Sequence, residues 1–291
     1  MKKRTIRELG TAIYRKILKF FAGSGLRRIG FIEKINLFVR TRLKPDFIIT
    51  KKYGHKMFLD KIDSLYLSVN KDWGDFEKEV IEKQIKKGDV ILDIGANIGF
   101  YTLIMAKLVG EKGKVYAFEA DPTNFEILKK NVEVNGYKNI VLVNKVVSNK
   151  NEKIKFYVDR GNTAGNSLFN GDKEEYNEVD AIKIDDYFPN NKKIDFIKID
   201  IEGSEGRAMK GMVNLLEKNK EIKIVTEVYP QLLNDVGKEE GINAKDYLNL
   251  LQEKNFKLYD VDEKNKSIVL SSPEEILNKY KNKWTNLLCK R

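Results

Sequence analysis

The chain is poor in several residue types, and each scarcity removes a class of protein. Among 291 residues there is one cysteine, Cys289. No disulfide can form within the chain, and no cysteine-rich zinc site is available. Cys289 itself reads as an inert residue near a frayed terminus. The single histidine, His55, is the only one that a Ser-His-Asp triad could use, and it reads as a surface or turn position. Five prolines and 20 glycines exclude a collagen-like or low-complexity chain. No apolar run approaches the roughly 18–20 residues of a membrane-spanning helix. Charges interrupt the apolar residues near the start, unlike a signal peptide. These absences predict a cytoplasmic, reduced protein.

Hydrophobic residues make up 42% of the chain, enough for a sizeable core. The formal net charge is +11, and residues 1–45 carry all of it, with 13 basic residues against Glu8 and Glu33. The remainder is neutral. Within the arm, residues 5–22 read as an amphipathic helix, with Ile6, Leu9, Ile13, Ile17 and Phe20 on one stripe and basic residues mostly off it. An apolar stripe beside a basic face fits a helix lying on an anionic membrane surface. Packing on the domain and binding RNA are the alternatives.

Residues 46–87 read as a lead-in of short strands and a helix over 73–87. From Gly88 to the end the rhythm is that of an α/β domain. Strands are predicted at 90–94, 114–119, 140–147, 153–158, 179–184, 194–201 and 222–228. Helices are predicted at 99–109, 124–135, 205–218 and 244–254, with Asp185 as a cap. A closing hairpin is expected over 256–270. Alternating strands and helices imply a mostly parallel sheet covered on both faces.

Three blocks carry the chemistry. In Val90-Ile-Leu-Asp93-Ile-Gly95-Ala96-Asn97-Ile-Gly99 a strand ends in an acidic residue and a glycine turn before a helix. Glycine allows close approach of a ligand, and the helix N-terminus offers N–H groups. The spacing is neither Gly-x-Gly-x-x-Gly nor a Walker loop with its lysine, which argues against NAD and ATP. In Val115-Tyr-Ala-Phe-Glu119-Ala120-Asp121, Glu119 ends the second strand about 20 residues on, where a carboxylate accepts hydrogen bonds from ribose hydroxyls. In Lys198-Ile-Asp200-Ile-Glu202-Gly-Ser-Glu205, the charged residues Lys198, Asp200 and Glu202 alternate with apolar ones on one strand face. Glu227 ends the following strand and faces the same crevice. Between strands on this side, the polar loop 160–177 is a candidate acceptor loop.

In this order, the blocks resemble the FkbM family of S-adenosylmethionine-dependent methyltransferases, over roughly residues 54–260. Gly74-Asp-Phe-Glu77 and the 179–188 segment add to the likeness, and Ala120 departs from the proline common in Phe-Glu-Pro versions. The resemblance implies a class I methyltransferase (Rossmann-like) sheet of seven mostly parallel strands, the last antiparallel, with helices on both faces and the basic helical arm in front. It implies S-adenosyl-L-methionine as cofactor. The Asp93–Gly99 loop, including Gly95, Ala96, Asn97 and Gly99, would hold the methionine end, with Glu77 and Asp200 near it. Glu119 and Ala120 would meet the ribose, and Val147 the adenine.

The reaction expected is transfer of a methyl group to a hydroxyl of a sugar, glycolipid or similar acceptor. Asp200 or Glu202 would act as general base, and Lys198 and Glu227 would complete the catalytic group. No metal is assigned; a hard cation on Asp200, Glu202 and Glu227 is a lesser alternative. An RNA methyltransferase is a rival reading. The Asn/Asp-Pro-Pro-aromatic motif used in base-amino methylation is replaced here by Asp200-Ile-Glu-Gly203, which disfavours nucleic acid. A non-catalytic cofactor-binding module is the second rival.

Overall fold

A computed structural model of the chain describes residues 41–42, 44–70, 75–159, 165–170, 175–189 and 192–291. The basic amphipathic helix over 5–22 therefore lies outside the described residues, as do Gly74 and parts of the 160–177 loop.

In chain order the elements are β1 (Phe47–Ile49), β2 (Lys56–Phe58), α1 (Leu67–Asn70), α2 (Asp75–Gln84), β3 (Val90–Ile94), α3 (Phe100–Val109), β4 (Lys114–Phe118) and α4 (Pro122–Val134). Then come β5 (Ile140–Val143), β6 (Val146–Val147), β7 (Lys153–Tyr157), β8 (Tyr176–Ile182), α5 (Ile184–Tyr187), β9 (Phe196–Ile199), α6 (Glu205–Lys210) and α7 (Val213–Lys218). The chain continues through β10 (Lys223–Val228), α8 (Pro230–Glu240), α9 (Ala244–Glu253), β11 (Lys257–Asp262), β12 (Ser267–Leu270), α10 (Pro273–Lys279) and β13 (Thr285–Lys290).

The main sheet has eight strands in the order β12-β11-β13-β10-β9-β3-β4-β5. Neighbours from β5 to β10 are parallel, and β13 runs antiparallel to both β10 and β11. Leaving out the edge strand β12, this is the seven-stranded order of a class I methyltransferase. The expected count of seven is corrected to eight, because the closing hairpin adds its second arm to the sheet edge. A smaller sheet, β6-β8-β7, stands beside the end of β5. It splits the strand expected over 140–147 in two.

Strand alternation divides the core. Leu92, Ile94, Ile197 and Ile199 face α6, α7 and α9, while Ile91, Val115 and Phe196 face α2, α3 and α4. Ile48, Met57 and Leu67 of the lead-in segment belong to that second core. The helix predicted over 205–218 is two helices. They break at Gly211, where a Cβ would come within 1.9 Å of the Ser148 carbonyl oxygen. Asp185 is a cap, as expected, but of α7: its carboxylate accepts from the Asn214 and Leu215 amides at 3.0 and 2.8 Å.

Two further readings are corrected. Cys289 is fully buried in β13, between Ile224 and Leu258 of the flanking strands, and burial pushes its thiol up. His55 is also buried, with Nε2 2.7 Å from the Tyr137 hydroxyl. Burial, and then Lys107, lower its pKa to about 4, so it is a neutral packing residue.

Candidate active site

The glycine loop leaves the C-terminal end of β3 beside β4 and β9. Gly95 adopts φ +87° because its Cα lies against the backbone of Asp200, and a Cβ there would sit 1.9 Å from the Asp200 carbonyl oxygen. The loop amides are committed within the protein. Gly95 and Ala96 donate to the Phe118 carbonyl at 3.0 and 2.9 Å, and Gly99 donates to the Ala96 carbonyl. Asn97 donates to Glu119 Oε2 at 2.7 Å, and Ile98 to the Asn97 side chain at 2.7 Å. The loop ahead of the helix is thus shaped by its own bonds.

Gly95→Ala should therefore be severe. Both the backbone conformation and the clash oppose it, and we expect a loss of about 3 kcal/mol or more in stability together with cofactor binding. Urea denaturation and calorimetric cofactor titration would measure the two effects.

Glu119 follows β4 and joins the two sides of the cleft. Its Oε1 accepts from the Asp121 amide at 2.8 Å while Oε2 holds Asn97. Burial pushes its pKa up to about 8, against the pull of those two amides. Each oxygen keeps a second lone pair. Gly95, Asn97, Glu119, Ala120, Val147, Asp200 and Glu202 all line one cleft of about 550 Å³, counting its space open to solvent.

The other expected residues lie behind this wall. Asp93 is buried and accepts from the Thr102 hydroxyl, while its Oδ1 has no partner. Burial raises its pKa against the opposing charge of Lys198. Ala96 and Gly99 are buried, the latter against Leu128. Glu77, on α2, accepts from the Tyr101 hydroxyl at 2.7 Å and is pushed up to about 7 by burial, with Lys198 opposing.

Lys198 is 2% exposed. Its ammonium binds Asp200 Oδ2 at 2.9 Å and lies 4.9 Å from the Tyr101 ring centre. Burial alone would lower its pKa. The charges of Asp200, Glu77 and Asp93 outweigh burial, so the ammonium is held firmly charged. The strand ends at Ile199, so only Lys198 lies in β9. Asp200 and Glu202 belong to the turn beyond it, with Glu202 at φ +52°. Glu227, at the end of β10, joins them: one oxygen from each of Asp200, Glu202 and Glu227 lies within 4.8 Å of the others. Burial first, and then Asp200 and Glu202, raise the Glu227 carboxyl well above the usual range.

Sequence reasoning missed several residues. Asn124 and Ser204 line the cleft, both buried, and Ser204 Oγ has no partner. Asn166 and Leu168, from the loop read as an acceptor loop, line the same wall as Glu119 and Val147. Ser204 lay inside a quoted motif, and Asn124 follows Asp121, whose carboxylate caps α4 by accepting from the Asn124 amide at 2.8 Å. Tyr101 gave no signal beyond helical spacing.

The strand order and a cleft at the C-terminal ends of β3, β4 and β9 define a class I methyltransferase fold. A family model, the methyltransferase FkbM domain, matches residues 93–258. The chain belongs to this family of S-adenosylmethionine-dependent methyltransferases. An uncharacterized protein of Methanocaldococcus jannaschii is 37% identical over 78 residues, 27% of this chain and 29% of that protein. A protein-L-isoaspartate O-methyltransferase of Methanococcoides burtonii is 40% identical over 60 residues, 21% of this chain and 30% of that protein. The chain spans less than a third of the length of these curated relatives. A solved SAM-dependent methyltransferase from Aquifex aeolicus is similar over 74% of this chain and 88% of that one, at 19% identity and a TM-score of 0.41. Among the described residues, no helix is long and apolar enough to cross a membrane.

The residues present fit the cofactor. Ser204 Oγ, which lines the cleft, is an orphaned buried polar atom, the kind a polar ligand satisfies. Glu119 has lone pairs for hydroxyl donors, and Val147, Phe156 and Leu168 supply an apolar wall.

Proposed function

We propose that this chain methylates a hydroxyl oxygen of a sugar, glycolipid or similar acceptor, with Asp200 as general base. The observation that carries the reading is the carboxylate group of Asp200, Glu202 and Glu227, two of whose members line the cleft while Lys198 holds Asp200 from behind. The cofactor, when bound, supplies an electrophilic methyl carbon on a sulfonium. The acceptor oxygen forms the new bond to that carbon, and the electron pair of the breaking C–S bond stays on sulfur. The hydroxyl proton goes to Asp200. Lys198 fixes the carboxylate's orientation, and Glu227, favoured in its neutral form, offers the acceptor a hydrogen-bond donor. Separating two neighbouring carboxylates into an ionised and a neutral one is a common way to assign acid and base roles. Alignment in the cleft supplies much of the remaining effect.

Glu119 gives this reading a pH signature. Hydroxyl donors favour its ionised form, so cofactor affinity should rise as pH increases through about 8. Folding stability from this group runs the other way. It is fully present below the ordinary value of 4.5 and lost as pH rises through 8. Glu119→Gln should bind cofactor about 10- to 100-fold more weakly with a flat pH profile. Calorimetric titration across pH 6–9 tests this, and an unchanged sloping profile in the variant would remove Glu119 from the role.

We also propose that residues 1–45 bring the enzyme to an anionic membrane surface, where a lipid-linked acceptor would be met at the cytoplasmic face. The arm's +11 charge supports this. Full-length protein should float with anionic vesicles at low salt, and a chain starting at Pro45 should not. Equal flotation would exclude the arm.

A further inference from the structure

The far edge of the main sheet is unusual. Strand β12 has no neighbour on its outer side among the described residues. Ile268, Val269 and Leu270 are 40%, 49% and 61% exposed. Three consecutive exposed apolar residues on an unpaired edge form a template for another strand. Charged, bulged or proline-bearing edges prevent such pairing, and this strand has none of those features.

The hydrogen-bonding pattern shows which groups are open. Ser271 donates its N–H to the Leu258 carbonyl at 2.9 Å, in register with the Tyr259–Leu270 and Asp260–Val269 pairs. Antiparallel ladders alternate, so Val269 and Ser267 also turn their backbone groups toward β11. Ile268 and Leu270 therefore point theirs outward.

We propose that this edge pairs with β12 of a second copy of the chain, antiparallel about a two-fold axis at Val269. The sequence Ser267-Ile-Val-Leu-Ser271 reads nearly the same in both directions. About that axis Ser267 faces Ser271, and Val269 faces its own counterpart. Ile268 faces Leu270, which brings together the residues whose N–H and C=O groups are open. A two-fold interface must be self-complementary, and this edge meets that condition in backbone and side chains. The result would be one continuous sixteen-stranded sheet, with the two clefts remote from the join. This inference does not depend on the acceptor or on Asp200.

Sedimentation equilibrium of the full-length protein tests it. The wild type should show twice the 33.7 kDa chain mass. Val269→Lys, which sets two ammonium groups at the axis, should be monomeric. So should Ile268→Pro, which deletes an outward N–H and no ladder bond within one chain. Unchanged cofactor titration in each variant shows that it is folded, since three strands separate β12 from β9. A wild type that stays monomeric at the highest attainable concentration would overturn the proposal. So would a dimer that survives both Val269→Lys and Ile268→Pro, because association would then use another surface.

Discussion

Asp200→Asn is expected to lower methyl transfer by about 10²- to 10⁴-fold while cofactor binding persists. The substitution keeps the side chain's shape and an acceptor oxygen for Lys198 but removes the group that takes the hydroxyl proton. Asp200 stands at the junction of the two halves of the site: its carbonyl abuts Gly95, its amide donates to the Ile94 carbonyl, and its carboxylate meets Lys198. A change of shape there would disturb cofactor binding as well, so the asparagine variant separates chemistry from positioning. The measurement is transfer of labelled methyl from S-adenosylmethionine to separated lipid, glycan, RNA and soluble fractions. Label in glycan or lipid that disappears in the variant supports the proposed reaction. Undiminished label would end the assignment of Asp200 as base, and label in RNA would overturn the acceptor class.

Lys198→Met is expected to destabilise the fold by about 3–5 kcal/mol near neutral pH, the usual result of removing one partner from a buried ion group. The ammonium is the charge that Asp93, Glu77 and Asp200 share. The sign of the pH dependence follows from Glu77. Its folded pKa, about 7, already exceeds the ordinary value of 4.5, so its ionisation opposes folding as pH rises through 7. Without the lysine that folded value rises further, and Asp93 moves the same way. The stability deficit should thus be greatest above pH 7 and shrink toward pH 5, where Glu77 is protonated. Urea midpoints of wild type and variant over that range would show it. A deficit independent of pH would mean that packing of the aliphatic stem, not charge, is what the lysine supplies.

Much of the site was legible because its residues stand at strand ends. A strand, an acid and a glycine turn identify the β3 loop, and an acid ending the next strand identifies Glu119. The Lys198–Glu205 block was likewise visible from alternation, though the strand stops at Ile199 and the turn, not the pleat, sets Asp200 and Glu202. What was hidden depends on contacts distant in sequence. Nothing local indicates that Glu119 fastens the Asn97 amide, or that Tyr101 serves Glu77. The break at Gly211 is imposed by Ser148, more than sixty residues earlier. His55 looked exposed because its partner, Tyr137, is likewise remote in the chain. The last strand was missed since Thr-Asn-Leu-Leu-Cys-Lys has neither β-branched richness nor clean alternation. It is a strand because it fills a gap between two others.

That gap has a consequence for how the molecule is made. Among the described residues, the β11–β12 hairpin is hydrogen-bonded into the parallel sheet only through β13, which comes later in the chain yet lies between β11 and β10. On the ribosome the hairpin is therefore synthesised before the strand that attaches it. The parallel half can order early, with its cleft nearly formed, while the edge strand waits as a loose apolar ribbon. Insertion of β13 is the event that completes the sheet, and the interval before it is when a chaperone would have most to protect.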